Sequence, residues 1–381
     1  MITLPSDIAQ FILDQLGMPE FNGHNSAAYQ SVIRHIRKHL HMLSDDFTAH
    51  TYSESKYGDA YFAYNFPMNI VKTSIVLNEL KRSYPGLICA HQKISILDVG
   101  CGEGAALLGC HHVLKQHKGL LYTGIDVSRS MLRRCRTTGE WLKKIDPQVT
   151  VRLKLQKISP TFFRKTPRRY DMIIFANSLT EIHKGDSVPV KYIEHIFRCL
   201  SDAGILILIE PALKRTSRRL MELRNTIIRQ TKHTILLPCL HKEECPLLQI
   251  RKNKEWCHQS VVWQPPEYLT FINQDLNREI DRLKYSYLVI ARNAYPVAIN
   301  PGFLVISNLL KEKGRKRCYL CTPDGRVELV RQDKSTSDSN TDFDEVHMGD
   351  VVDIKKYIQV KRHYWEIGPT AHLRITHCKD Q

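Results

Sequence analysis

The amino-acid sequence predicts an α/β protein: a Rossmann-like sheet preceded by an N-terminal helical segment, interrupted by a cysteine-bearing insertion and followed by a small C-terminal β domain. Three observations predict it. Between Lys93 and Pro211 short apolar runs alternate with helical stretches, the pattern of a parallel sheet with crossover helices. The run ILDVGCGEGAA from Ile96 sets Gly100, Gly102 and Gly104 between a strand and a helix. Beyond about Asn300 the texture changes to alternating β-type segments separated by turn signals such as Asp324-Gly325 and Gly349-Asp350.

From about Pro5 to Leu80, apolar positions recur every three or four residues in DIAQFILDQLG, AAYQSVIRHIRKHLHML and AYFAYNFPMNIVKTSIVLNELKR, so this segment reads as helical. Tyr84, Pro85 and Gly86 end it. The strands then read as KISILDV, LLYTGIDV, VTVRLKLQ, YDMIIFAN and ILILIEP, with helices beginning near Ala105, Ser130 and Pro189. A last strand, KYSYLVIAR from Lys284, closes the sheet and leaves residues about 212–283 as an insertion. In the C-terminal part FLVISNLL, RCYLCTPDGRVELVR, DVVDIKKYIQVKR and HLRITH suggest a barrel-like β domain, and DKSTSDSNTDFDE from Asp333 reads as a mobile polar loop. The expected units are residues 1–85, 86–300 and 301–381, with no internal repeat.

At 381 residues the chain is long enough for two or three domains of ~100–200 residues each. No stretch reaches the ~18 uninterrupted apolar residues of a membrane span, so no membrane association is expected. Lys and Arg number 55 against 39 Asp and Glu, a net charge of +16. The basic residues gather in RKTPRRY from Arg164, LKRTSRRL from Leu213, RKNK from Arg251 and KEKGRKR from Lys311, a distribution suited to a polyanionic partner. The N-terminal MITLPSDIAQFILDQLG carries two acidic residues and no Arg, unlike a secretory signal or a typical transit peptide. Of the 11 cysteines, Cys89, Cys101, Cys110, Cys135 and Cys199 lie in or beside regular apolar segments and read as core residues.

In ILDVGCGEG a strand carries Asp98 towards its carboxyl end, and the glycines let the backbone approach a ligand closely before the helix begins. About twenty residues on, the next strand ends in Asp126, whose carboxylate is placed to accept hydrogen bonds from two ribose hydroxyls. A dinucleotide site shares this logic, but D-V-G-C-G-E-G resembles motif I of the class I methyltransferases, which implies that fold and S-adenosylmethionine as ligand. Asn177 closes YDMIIFAN where many amino methyltransferases place an Asn/Asp-Pro-Pro-aromatic motif. Here Ser178-Leu179-Thr180-Glu181 follows, without the platform that orients a base amine. The candidate cofactor residues are therefore Asp98, Gly100, Gly102, Gly104, Asp126 and Asn177; methyl transfer stays open, and no catalytic residue is assigned.

Between Pro238 and His258 the sequence PCLHKEECPLLQIRKNKEWCH places Cys239, Cys245 and Cys257 in a basic, loop-like insertion, which suggests ligation of a soft metal. Zinc usually takes tighter pairs, whereas iron–sulfur clusters accept wider and irregular spacings. A fourth thiolate must come from elsewhere, and RCYLCTPDG offers Cys318 and Cys321; Cys321, directly before a turn, is preferred. Cys318 and Cys321 together as a zinc knuckle, or His241 and His258 as competing ligands, are alternatives at this point.

Taken together, AYFAYNFPMNIVKTSIVLNEL, ILDVGCGEG, YDMIIFANSLTEI, LILIEPALKRTSRRLMELRN, PCLHKEECPLL, WCH and LCTPDGR resemble the methyltransferase-like assembly factors of the small ribosomal subunit, the family of mitochondrial methyltransferase-like protein seventeen and its bacterial relatives. The resemblance implies a [4Fe-4S] cluster on Cys239, Cys245, Cys257 and Cys321 and binding to small-subunit rRNA and the ribosomal particle during assembly or translation. It further implies a protein that is a monomer when free, placed in the mitochondrial matrix of a eukaryote or the cytoplasm of a bacterium. An active S-adenosylmethionine-dependent rRNA methyltransferase is the rival reading, and a zinc-stabilised small-molecule methyltransferase a third. Tyr319, Tyr357, Tyr364 and Trp365 are candidates to stack on unpaired bases.

Overall fold

The computed structural model describes residues 2–18, 34, 36–40, 54–88, 93–159, 161–165, 169–183, 185, 187–250, 255–278, 280–295 and 302–377, with only the backbone of 54–57 and 275. Most of AAYQSVIRHIRKHLHML, the run RKNK, part of RKTPRRY, Cys89 and Cys378 lie outside the described residues. Among the described residues no helix is long and apolar enough to cross a membrane.

In chain order the first part comprises β1 (Ile2–Thr3), α1 (Ser6–Gln15), α2 (Glu54–Ser83), β2 (Ile94–Val99), α3 (Ala105–Leu114), β3 (Leu120–Asp126), α4 (Arg129–Ile145), β4 (Val149–Leu155), β5 (Tyr170–Ala176), α5 (Leu179–Ile182), α6 (Val190–Arg198) and β6 (Leu200–Pro211). The insertion adds α7 (Lys214–Gln230), β7 (Thr234–Leu237), β8 (Gln259–Gln264) and α8 (Glu267–Asp275), and β9 (Arg282–Ala291) follows. These strands form one sheet of nine in the order β1-β8-β9-β6-β5-β2-β3-β4, with β7 also paired to β9. β2 to β6 run parallel, and β9 lies antiparallel to β6. This is the Rossmann-like arrangement of the class I methyltransferases, and its order reverses between β2 and β5, where open α/β sheets bind ligands.

Both faces of the central strands are covered, which explains why β2, β3, β5 and β6 read as mostly apolar runs, whereas the edge strand β4 alternates. Successive side chains alternate between two cores: Ile205, Ile207 and Ile209 of β6 enter the core shared with α2 and α3, while Leu206 and Leu208 enter the one shared with α6 and α7. α2 and α3 touch closely at Gly109, where a Cβ would come within 2.8 Å of the Ile70 carbonyl oxygen. At the start of α4, the Ser128 hydroxyl accepts the Met131 N–H and satisfies a donor of the first turn. Cys101, Cys110, Cys135 and Cys199 are buried core residues.

The insertion is more integrated than its sequence suggests. Its β7 and β8 both join the sheet beside β9, and β1 extends it beyond β8. Short runs such as TILL carry no partner information; the unpaired edge that β9 offers decides where they go.

The C-terminal part consists of β10 (Phe303–Val305), β11 (Leu310–Glu312), β12 (Arg315–Thr322), β13 (Gly325–Gln332), β14 (Val351–Lys355), β15 (Ile358–Lys361), β16 (Tyr364–Ile367) and β17 (His372–His377). They make a second sheet ordered β15-β16-β13-β12-β10-β14-β17, with β11 on β12 and a core of its own around Leu320, Leu329, Val352 and Trp365. The expected mobile loop from Asp333 is instead packed. The buried Arg331 guanidinium donates to the Asn340 carbonyl (2.7 Å) and to Asp344 Oδ1 (2.5 Å), and Phe343 enters the core. Polar composition hid a buried arginine with its own hydrogen-bonded shell.

Candidate functional site

The first candidate site lies at the strand-order reversal. After β2 the chain turns through Gly100 (φ 76°), Gly102 (φ 52°) and Gly104 (φ 92°), all left-handed. A Cβ at Gly100 would lie 2.5 Å from that of Ser178, so neither φ nor space admits a side chain there. Asp126 at the end of β3 holds the loop: its Oδ2 accepts the Gly102 N–H (2.8 Å) and its Oδ1 the Ser128 N–H (2.9 Å). Asp98 is buried beneath it. Its Oδ2 accepts the Tyr122 hydroxyl at 2.5 Å, and its Oδ1 has no partner among the described residues. Burial pushes this carboxyl up to about 7, the Tyr122 hydrogen bond opposes the rise, and the nearby Asp126 adds to it.

Asn177 follows β5 with φ 61° and donates its N–H to Ile209 (2.7 Å), so it sits at the carboxyl edge of the sheet beside the glycine loop. Two carboxylates that the sequence reading did not single out flank it. Glu210, at the end of β6, accepts the Thr180 N–H (3.2 Å) and hydroxyl (2.7 Å), and burial raises its carboxyl to about 7. Glu181 is also raised, by burial first and then by Asp126.

Helix α2 supplies the opposite wall. Asn69 Nδ2 donates to the Tyr61 hydroxyl (3.2 Å), and Lys72 Nζ donates to Asn69 Oδ1 (3.4 Å). Burial and then the Glu103 and Glu181 carboxylates raise the Tyr61 phenol, which places it beside the glycine loop; Asp126 contributes as well. Burial lowers the Lys72 ammonium to about 8. The helical spacing of positions 61, 69 and 72 was the available signal, but a polar stripe on a helix ordinarily faces solvent.

The second candidate site joins the insertion to the C-terminal sheet. Cys239, Cys257 and Cys321 are half-buried and Cys245 is buried. Helix α7 holds the cysteine segments: Asn225 Oδ1 accepts the Cys245 N–H (2.9 Å), and Met221 Sδ accepts that of Cys257 (3.2 Å). The Ser286 hydroxyl donates to the Cys257 carbonyl (2.8 Å) and is bonded to the Ser217 hydroxyl (2.7 Å). From the other side, Cys321 Sγ lies 3.3 Å from His241 Nε2. Burial drives the Cys321 thiol up, and Cys239, Cys257 and Cys245 each act on it electrostatically, so the four sulfurs share one neighbourhood. Cys245 is raised to about 11, by burial and then by Cys239. Cys318, three residues from Cys321 along a strand of period two, points instead into the second core and is 0% exposed. Among the described residues no three His, Cys, Asp or Glu side chains are gathered tightly enough to hold a metal ion as they stand. Thiols are soft donors, the kind that zinc and iron–sulfur clusters take.

The basic runs divide. In LKRTSRRL, Arg218 donates to the Glu255 carbonyl (2.9 Å) and Arg219 to that of His183 (2.6 Å), so these charges brace the fold. In KEKGRKR, Arg315 and Arg317 each pair with Glu312 at 2.7 Å, whereas Lys311 and Lys313 are exposed. Trp365 is buried and stacked on Tyr357 (4.2 Å between centroids), which removes it from the expected base-stacking residues; Tyr319 lies beneath the Arg326 guanidinium (4.3 Å).

A family model described as mitochondrial small ribosomal subunit Rsm22 matches residues 54–352. No curated protein matches the chain. Among solved structures, magnesium protoporphyrin IX methyltransferase of Synechocystis PCC 6803 with bound S-adenosylmethionine is similar at 13% identity, covering 60% of this chain and 81% of that one, with a TM-score of 0.34. The YcgJ protein of Bacillus subtilis is similar at 13% identity, over 59% of this chain and 100% of that one, with a TM-score of 0.31.

Proposed function

The chain belongs to the mitochondrial small ribosomal subunit Rsm22 family, and from that membership we propose that it is a methyltransferase-like iron–sulfur protein that binds small-subunit rRNA during ribosome assembly or translation. The observation that supports the reading is that Cys245 and Cys257 pack in one cluster with Met221 of α7 while Cys321 Sγ of the C-terminal sheet lies 3.3 Å from His241 Nε2 in the loop between Cys239 and Cys245. Four thiolates there would hold a [4Fe-4S] cluster and fix the insertion against the C-terminal sheet, since metal binding adds directly to folding free energy. We assign the fourth position to Cys321 rather than Cys318.

At the other site, Asp98, Gly100, Gly102, Gly104, Asp126 and Asn177 would hold S-adenosylmethionine, with Asp126 taking the ribose hydroxyls and the glycines clearing space for the ligand. Lys72 and Tyr61 would meet the charged amino-acid end. When bound, the cofactor supplies an electrophilic methyl group. The chain's own residues bind and orient it; Asn177 lacks the Pro-Pro-aromatic continuation that would position a base amine. The role proposed is thus binding and positioning on rRNA, as a monomer when free, in the mitochondrial matrix of a eukaryote or the cytoplasm of a bacterium.

Active methyl transfer to rRNA is the second reading, favoured by Glu210, a carboxyl raised to about 7 at the same sheet edge. Two experiments test these readings. Anaerobically purified protein should carry iron and sulfide with a brown absorption band; a colourless, iron-free preparation after anaerobic reconstitution overturns the cluster. Loss of a specific rRNA methyl group on deletion, restored by the wild-type chain and not by Asp98→Ala, decides for transfer.

A further inference from the structure

Arg224 lies on α7 beneath the cysteine loop and is 1% exposed. Its guanidinium donates to the carbonyl oxygens of His241 (2.7 Å) and Glu243 and to Asn225 Oδ1 (2.9 Å). Its Nε has no partner among the described residues. Every one of these acceptors is neutral, and among the described residues no carboxylate forms an ion pair with it. A guanidinium keeps its charge in a protein. Burying one without a counter-charge is costly, and hydrogen bonds to carbonyls offset the cost in part only.

Glu243 and Glu244 of the same loop are exposed, and Glu244 pairs with Arg229, so the buried and half-buried groups there that can carry negative charge are the cysteines. The two carbonyls that Arg224 holds belong to the segment running from Cys239 to Cys245. Asn225 Oδ1, which accepts from Arg224, also accepts the Cys245 N–H at 2.9 Å. One side chain therefore spans the loop that carries two of the four thiols.

We propose that Arg224 is the built-in counter-charge and positioning residue of a four-thiolate metal centre at Cys239, Cys245, Cys257 and Cys321. The inference rests on the cluster reading above and adds to it a residue that touches no metal. Its hydrogen bonds fix the loop before metal arrives, and its charge offsets that of the thiolates afterwards. A [4Fe-4S] centre on four thiolates is anionic and gains a further negative charge on one-electron reduction, so a buried cation beside it favours the reduced form.

The test compares the wild-type chain with Arg224→Met and Arg224→Lys, each reconstituted anaerobically with ferrous iron and sulfide. Three quantities are read: iron and sulfide per chain, the rate of metal release to a chelator, and the midpoint potential in a dithionite titration. Arg224→Met should lower the midpoint potential and weaken metal retention by about 10–100-fold, the usual effect of losing an outer-shell partner. Arg224→Lys, which keeps the charge but not the fork, should keep the potential near wild type while releasing metal at an intermediate rate. A potential and release rate unchanged in Arg224→Met overturn the role of Arg224. If that variant fails to fold, Arg224→Lys decides: a lowered potential there overturns the counter-charge. A wild-type chain that takes up neither iron nor zinc overturns the centre itself, and should it take up zinc alone, the release rates decide.

Discussion

The carboxylate of Asp126 accepts the backbone N–H of Gly102 at 2.8 Å, tying the end of β3 to the turn that follows β2. Its other oxygen accepts the Ser128 N–H. The same side chain thus shapes the glycine loop and presents lone pairs beyond those two bonds, since an ionised carboxylate offers about four. Asp126→Ala should raise the Kd for S-adenosylmethionine by roughly 10- to 100-fold, the equivalent of losing one or two charge-assisted hydrogen bonds. Asp126→Asn should fall between the two. Isothermal titration measures both, and an unchanged affinity in the alanine variant removes Asp126 from the pocket.

Lys72 gives a second prediction, separable by ligand. If the row Lys72–Asn69–Tyr61 meets the amino-acid end of the cofactor, Lys72→Met should weaken S-adenosylmethionine and S-adenosylhomocysteine by about tenfold, one charge-assisted contact. Methylthioadenosine, which lacks the amino-acid moiety, should bind the two proteins alike. Equal weakening of all three ligands would mean that Lys72 acts through the fold.

The buried carboxyls predict a pH dependence whose sign is fixed. Asp98 rises from 3.8 and Glu210 from 4.5, both to about 7 and both chiefly through burial. Between about pH 4 and pH 7 the native state therefore holds protons that the unfolded chain has released, and stability falls as pH rises through that window. The loss is complete above the folded value and absent below the unfolded one. Its size is on the order of a few kcal/mol per group. In urea titrations of ligand-free protein, Asp98→Asn should flatten the decline between about pH 4 and pH 7; a slope equal to wild type would assign the decline elsewhere.

How much of this was legible in the sequence depends on what each residue had to reveal. β2, β3, β5 and β6 were readable because both faces are largely buried, which leaves mostly apolar runs; β4, an edge strand, was readable by its alternation, and the glycine loop because only glycine fits Gly100. Glu210 was hidden because a carboxylate at a strand end looks like a solvent-facing one until the chain packs over it. Arg218 and Arg219 read as part of a basic stretch, yet their guanidinium groups donate to backbone carbonyls inside the fold. Charge counting cannot separate braces from binding groups, because the difference lies in the long-range partner. Cys318 and Cys321 were distinguishable in principle: an offset of three along a strand puts them on opposite faces.

That offset makes the cysteines testable one at a time. Cys321→Ser should abolish stoichiometric iron uptake. Cys318→Ala should leave iron content and the visible spectrum intact while costing about 1 kcal/mol of stability, a typical core truncation. Iron loss in Cys318→Ala with retention in Cys321→Ser would reverse the assignment of the fourth ligand.

For the rRNA binding proposed above, the divided basic surface predicts a response to salt. Each phosphate neutralised on a single strand contributes about −0.7 to the slope of log K against log salt, because condensed counterions are released. Arg315 and Arg317 already share Glu312 at 2.7 Å, so phosphate must compete with that carboxylate for them. Lys311 and Lys313 sit exposed on either side of Glu312 and are available to phosphate. Replacing both lysines by Gln should therefore reduce the slope by up to about 1.4 and weaken binding of small-subunit rRNA fragments regardless of sequence. Arg315→Gln should shift it less, since Glu312 is left with Arg317 alone. Filter binding at several salt concentrations decides: a larger effect from Arg315 than from the lysine pair would place the RNA contact on the ion-paired face of β12.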